Sequence, residues 1–176
     1  MKKTVFGLIA VLLIGYLAYS DYTSKYYIEG TTAGIDTAVG AMLGAEINTQ
    51  EITIVDNKLY FVFTMGSFVG SGELKRGFNQ KYSFKFAGHG TNDIRERIVE
   101  TNKGQYLLTS GQNEQNIGKI KGFIDGDQYE VNIPEGEYYL VLTPVKRTDE
   151  NFVTGMIVYD RHHKEIYRRN VAKSIS

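Results

Sequence analysis

The side chains best suited to acid–base work are the three histidines of the chain, His89, His162 and His163. His89 sits in Ala87-Gly88-His89-Gly90, with Asp93 four residues on and Glu96 just beyond. An imidazole titrates close to neutral pH and a neighbouring carboxylate can orient it, so His89 with Asp93 is the candidate catalytic set. The plainer reading is an exposed histidine on a loop, because no nucleophile stands beside it in the sequence. His162 and His163 are adjacent, and adjacent strand residues face opposite sides, so they chelate together only within a turn. Asp125 and Asp127 flank Gly126, but an EF-hand loop needs more acidic ligands and a closing glutamate, so they read as turn residues. The chain has no cysteine. Disulfides, thiolate nucleophiles, cysteine zinc sites and a lipidated cysteine are therefore excluded, and neither a metal nor a cofactor is expected.

Two stretches offer anion binding instead. In 65–77, MGSFVGSGELKRG, four glycines and two serines surround Lys75 and Arg76, and backbone N–H groups freed by glycine can converge on an anion. The spacing is not that of a P-loop and no Gly-x-Ser-x-Gly elbow is present, so the alternative is a flexible loop between strands. Near the C-terminus, Arg161, Lys164, Arg168, Arg169 and Lys173 meet a single acid, Glu165, with Tyr167 interleaved. Such a basic edge suits an anionic envelope polymer or lipid headgroups, and equally serves to block edge-to-edge aggregation of a strand. Over the whole chain 20 basic residues balance 20 acidic ones. No global positive field gathers polyanions, which argues against nucleic acid as a partner.

These residues need elements to position them. Residues 1–20 begin with Lys2 and Lys3, continue through the uncharged apolar run Val5 to Tyr19, and are followed by Asp21. The run has the length of a secretory signal, with small residues Ala18 and Ser20 placing a cut after Ser20. Tyr16, Tyr19, Tyr22, Tyr26 and Tyr27 support the other reading, an uncleaved anchor with an interfacial aromatic belt. Both readings put the rest of the chain outside the cytoplasmic membrane, secreted, periplasmic or anchored. Residues 21–47 form a Gly/Ala-rich linker or short helix. Gly30, Gly34, Gly40 and Gly44 are spaced in fours, which also fits an oligomerising helix, although Asp36 interrupts any spanning run.

From residue 48 to 176 the pattern has period two. Hairpins are expected at 50–64 around Asp56-Asn57, at 97–109 around Asn102-Lys103-Gly104, and at 117–133 around Asp125-Gly126. A helix over 93–109 capped by Thr91 is the alternative to the second. Tyr82, Phe84 and Phe86 alternate with Ser83 and Lys85, and a last pair spans 152–159 and 165–171. Glu137 to Thr143 has Tyr138, Leu140 and Leu142 on one face and Tyr139 and Val141 on the other, which predicts a central strand covered on both sides. The fold class is all-β, an antiparallel β-sandwich or small barrel preceded by an N-terminal hydrophobic helix.

Within 122–144, Pro134, Gly136 and Tyr138 form a Pro-x-Gly-x-Tyr turn between two strands. This segment resembles the corresponding unit of transthyretin-like and related bacterial surface modules. The resemblance implies a structural or ligand-binding surface domain and supplies no catalytic residue. The expected function is an exported cell-envelope or surface binding module without catalytic activity, its partner an envelope protein or polymer, with the membrane added if residues 5–19 are retained. The alternatives are an envelope-polymer hydrolase or lyase using His89, and a membrane oligomer assembled through 28–47.

Overall fold

The computed structural model describes residues 2–90 and 93–170. Two helices, α1 (Lys2–Lys25) and α2 (Thr32–Leu43), precede eleven strands among the described residues: β1 (Asn48–Val55), β2 (Lys58–Met65), β3 (Phe68–Arg76), β4 (Tyr82–Gly90), β5 (Ile94–Glu100), β6 (Gln105–Gln112), β7 (Ile117–Ile124), β8 (Asp127–Asn132), β9 (Tyr138–Val145), β10 (Gly155–Asp160) and β11 (Glu165–Arg169). The strands form three antiparallel sheets, ordered β1-β2-β3-β4, β5-β6-β9 and β11-β10-β7-β8. The all-β expectation and its three hairpins hold, and 93–109 is strand rather than helix.

Sheets stack because a strand with apolar residues on both faces needs a cover on each side. Leu59, Phe61 and Phe63 of β2 pack with Ile35 and Val39 of α2 on one face of the first sheet. Tyr60, between them, packs with Val99 and Leu108 of the middle sheet on the other. The far face of the middle sheet, through Leu107 and Tyr139, packs on Ile120, Val131 and Val158 of the third. The order of layers is therefore α2, first sheet, middle sheet, third sheet. The third sheet turns Lys119 and Lys121 outward to pair with Glu130, so that face is wet.

Strand β9 has its expected cover on both faces yet lies at the edge of its sheet, where Pro144 has no ladder N–H to supply. The Pro134–Tyr138 connection carries the chain from the third sheet to the middle one.

One expectation is corrected. Residues 68–76 are a strand, not a loop, because Gly70 and Gly72 stand opposite Phe63 and Phe61 and the two rings occupy the space a Cβ would take. Gly70 and Gly72 serve aromatic packing between two paired strands.

The small-residue segment is likewise used inside its own chain. Thr31 caps α2 by accepting from the Gly34 N–H at 3.2 Å, and Gly44 ends it at φ 66°. A Cβ on Gly40 would lie 2.9 Å from the Ala45 carbonyl, and one on Gly30 would lie 2.6 Å from the Tyr82 ring. Asp36 ties α2 to β1 by accepting from Thr49 N–H and hydroxyl at 2.8 and 2.6 Å.

Candidate functional site

The candidate site lies where the first and middle sheets part, at the free edge of β5. Strands β5 and β6 pair with Arg95 opposite Ser110 and Arg97 opposite Leu108, so these four side chains share the face toward β3. Ser71 and Glu73 of β3 and Phe86 of β4 approach from the other sheet. The cleft between them has a volume of about 260 Å³, with Ile94 and Phe152 also in its lining. Asn151, beside Phe152, covers the β5 edge further along by accepting from the Ile98 N–H at 2.8 Å.

Its electrostatics are arranged in steps. Deep in the seam, the buried carboxylate of Glu73 accepts from Lys58 at 2.6 Å and from Arg97 at 3.0 Å. Arg97 also stands 4.6 Å above the centre of the Phe86 ring, a cation–π contact. Arg169 pairs with Glu96 at the rim. Arg95 has neither counter-charge nor hydrogen-bond partner for its buried Nε and Nη2 atoms among the described residues. Burial accordingly pulls its guanidinium below the ordinary value. The hydroxyl of Ser110, fully buried, is also unpartnered, as is that of Tyr60. Burial above all, with Glu73 adding to it, holds the Tyr60 hydroxyl above the usual phenol range, so it stays protonated.

The residues singled out from sequence fall elsewhere. His89 is exposed on β4 opposite Gly70, its ring 5.6 Å from Phe68, on the α2 side of the first sheet. The cleft is on the other side, so His89 and Glu96 are separated by a sheet. Asp93 is exposed and accepts from Gln115 at 3.2 Å, and no contact among the described residues joins it to His89. His162 and His163 occupy the β10–β11 turn, where the His162 N–H donates to Asp160 at 2.9 Å. No cluster able to hold a metal occurs among the described residues. Asp125 and Asp127 accept from Thr148 and Lys146 across a loop junction.

The basic C-terminal run is largely neutralised. Arg161 reaches the Pro134 carbonyl at 2.8 Å and lies 3.9 Å from Glu135, Arg168 pairs with Glu165, and Arg169 turns to Glu96. Lys164 is exposed in the turn, while Lys173, like Thr91 and Val171, lies outside the described residues. Lys75 and Arg76 line a second groove, of about 570 Å³, at the base of α1. There Tyr22 stacks on Tyr26 at 4.7 Å and on Phe78 at 6.2 Å, and its hydroxyl accepts from the Phe78 N–H. Asn79 donates to the Tyr26 carbonyl at 2.9 Å, and Ile28 and Tyr82 exchange backbone hydrogen bonds at 3.0 and 2.8 Å.

Sequence reading missed Arg95, Arg97, Glu73 and Ser110. The available signal was the two-residue spacing of Arg95 and Arg97, which puts both guanidinium groups on one face of any strand. Comparison with protein-family models, with curated proteins and with solved structures finds no match to this chain. Among the described residues no helix is long and apolar enough to cross a membrane.

Proposed function

We propose that this chain is a non-catalytic binding module of the cell envelope, held at the outer face of the cytoplasmic membrane by α1. The observation that carries the reading is the state of α1 itself. From Val11 to Tyr19 every residue is exposed, including Leu12, Leu13, Ile14 and Leu17, yet the helix is docked to the β domain at its C-terminal end. Apolar side chains presented on a helix with no protein cover gain by moving into lipid. The described stretch alone is not long and apolar enough to cross a membrane, and the proposed anchor adds the apolar residues from Val5 onward that adjoin it in the sequence.

Further features agree. The helix runs without a break through Ser20 to Lys25, which favours a retained anchor over a signal cut after Ser20. Phe78, 95% exposed, and the tyrosines beside it belong to the residue types that settle at a membrane interface. Lys75 and Arg76 in the same collar suit anionic headgroups. Lys2 and Lys3 fit the positive-inside rule with the β domain outside. The resemblance of 122–144 to surface modules is in keeping with this reading. A hydrolase built on His89 has no support in the placement of that residue.

The test is membrane partition of the full chain after a carbonate wash, compared with a Leu13→Lys, Leu17→Lys variant. Each lysine costs about 2.5–3.5 kcal/mol at the centre of a membrane helix. The wild-type chain stays in the membrane pellet and the variant is released; equal partition of the two would rule the anchor out.

A further inference from the structure

We propose that the cleft between the first and middle sheets is a binding site for a carboxylate carried on a small apolar body, received by Arg95 and Ser110. The proposal rests on the reading of the chain as a binding module and is independent of the anchor.

Three observations converge. The first is which atoms of Arg95 lack partners. Nε and Nη2 are the two guanidinium nitrogens whose N–H bonds run parallel along one side of the group, the fork that grips both oxygens of a carboxylate. Arg97 and Arg169, which line the same cleft, each already hold a carboxylate of the chain, on Glu73 and Glu96. Arg95 is thus the cation of the cleft whose counter-charge the described residues do not supply.

The second is Ser110. It stands directly across the β5–β6 ladder from Arg95, exposes no surface, and among the described residues has no hydrogen-bond partner for its hydroxyl. Buried polar groups are almost always satisfied, so an orphan hydroxyl beside an orphan guanidinium points to a shared acceptor. One carboxylate bound along the Arg95 fork, admitted by a shift of the side chains that cover these buried atoms, offers a lone pair to Ser110 as well.

The third is the wall. Ile94, Leu108, Phe86 and Phe152 are apolar or aromatic, which suits a hydrocarbon body behind the carboxylate and disfavours a bare inorganic anion. Gly90 lies against the guanidinium, since a Cβ there would come within 3.1 Å of Arg95 Nη2.

The experiment is calorimetric titration of the full chain in detergent micelles with benzoate, with benzyl alcohol as the uncharged probe and inorganic phosphate as the anion without an apolar body. Saturable one-to-one binding of benzoate, with neither of the others binding, is expected. Arg95→Lys keeps the charge but loses the fork and weakens benzoate at least about tenfold, whereas Ser110→Ala weakens it severalfold. Arg95→Met abolishes binding and raises the melting temperature, because it removes an unpaired buried charge; a structural arginine would do the reverse. Failure of benzoate to saturate, binding of phosphate alone, unchanged affinity in Arg95→Lys, or a lowered melting temperature in Arg95→Met would each overturn the assignment. If benzoate fails while the chain still partitions with membranes, the ligand class falls and the anchored module stands.

Discussion

The ring of Phe61 lies over Gly72 on the neighbouring strand, as Phe63 lies over Gly70. All of Leu59 to Phe63 is buried, so the two phenylalanines under α2 need room beside their own strand, and the glycines of β3 give it. The same arrangement leaves Ser71 and Glu73, on the alternate positions, to face the middle sheet and build the polar seam.

Gly72→Ala would put a methyl group into the Phe61 ring. Overpacking of this kind costs about 1–3 kcal/mol, read as a lowered midpoint in chemical denaturation. Gly104→Ala, where nothing lies within 4 Å of the added carbon, serves as the control and shifts stability by less than about 0.5 kcal/mol.

Glu73 balances two cations in a seam where it is 10% exposed and Lys58 is 18% exposed. Glu73→Gln leaves Lys58 and Arg97 facing each other without an acceptor charge. A fully buried pair broken on one side costs about 3–5 kcal/mol, and with Arg97 part-exposed the expected loss is about 2–3 kcal/mol. Lys58→Met, which leaves Glu73 still paired with Arg97, costs less. The order of the two variants in urea denaturation checks the claim.

Asp56 closes the opposite end of the seam. Its carboxylate accepts from the Thr101 hydroxyl at 2.6 Å and lies 3.3 Å from both Lys103 and the Tyr106 hydroxyl. The Thr101 hydrogen bond first, then Lys103 and Tyr106, hold it below its ordinary value of 3.8. A depressed carboxylate contributes stability that is complete above its unfolded value and disappears as pH falls through the folded one. Asp56→Asn should therefore be less stable than wild type by a constant amount from neutral pH down to about 5, with the gap closing below the ordinary carboxylate range. Thermal melts of both chains along a pH series measure it, and a gap that widens on acidification contradicts the assignment.

The collar of α1 separates coupling from lipid contact. A Cβ at Gly77 would meet Tyr26 Cδ1 at 2.6 Å, so Gly77→Val loosens the end of the helix and speeds amide exchange over residues 22–28. Phe78→Ser removes the ring that stacks on Tyr22 without crowding the helix, so it speeds that exchange less than Gly77→Val and lowers retention on anionic vesicles more.

Local pattern revealed the hairpins, because turn residues such as Asp125-Gly126 and Asn102-Lys103-Gly104 sit between period-two runs. It missed β3, because a glycine that accommodates a ring looks like a glycine that makes a turn until the partner strand is known. The cleft was hidden for a related reason. Arg95 and Arg97 read as ordinary charges in an ambiguous stretch, and only the register against Ser110 and the approach of Glu73 separate the satisfied arginine from the unsatisfied one. Within the basic run at the C-terminus the sequence likewise conceals a partner, since Arg169 finds Glu96 73 positions away. His89 ends β4 in the first sheet and Asp93 stands just before β5 in the middle one, so their spacing of four in the sequence does not carry over to one strand face.

The most direct test of an envelope module held by α1 is the N-terminal sequence and membrane partition of the chain from its native cell, with protease added from outside. An intact Met1 in the membrane fraction, with the β domain digested by the external protease, is the predicted result. A chain beginning at Asp21 in a soluble exported fraction would contradict the retained anchor, and an intact chain in the cytosol would contradict display outside the membrane altogether.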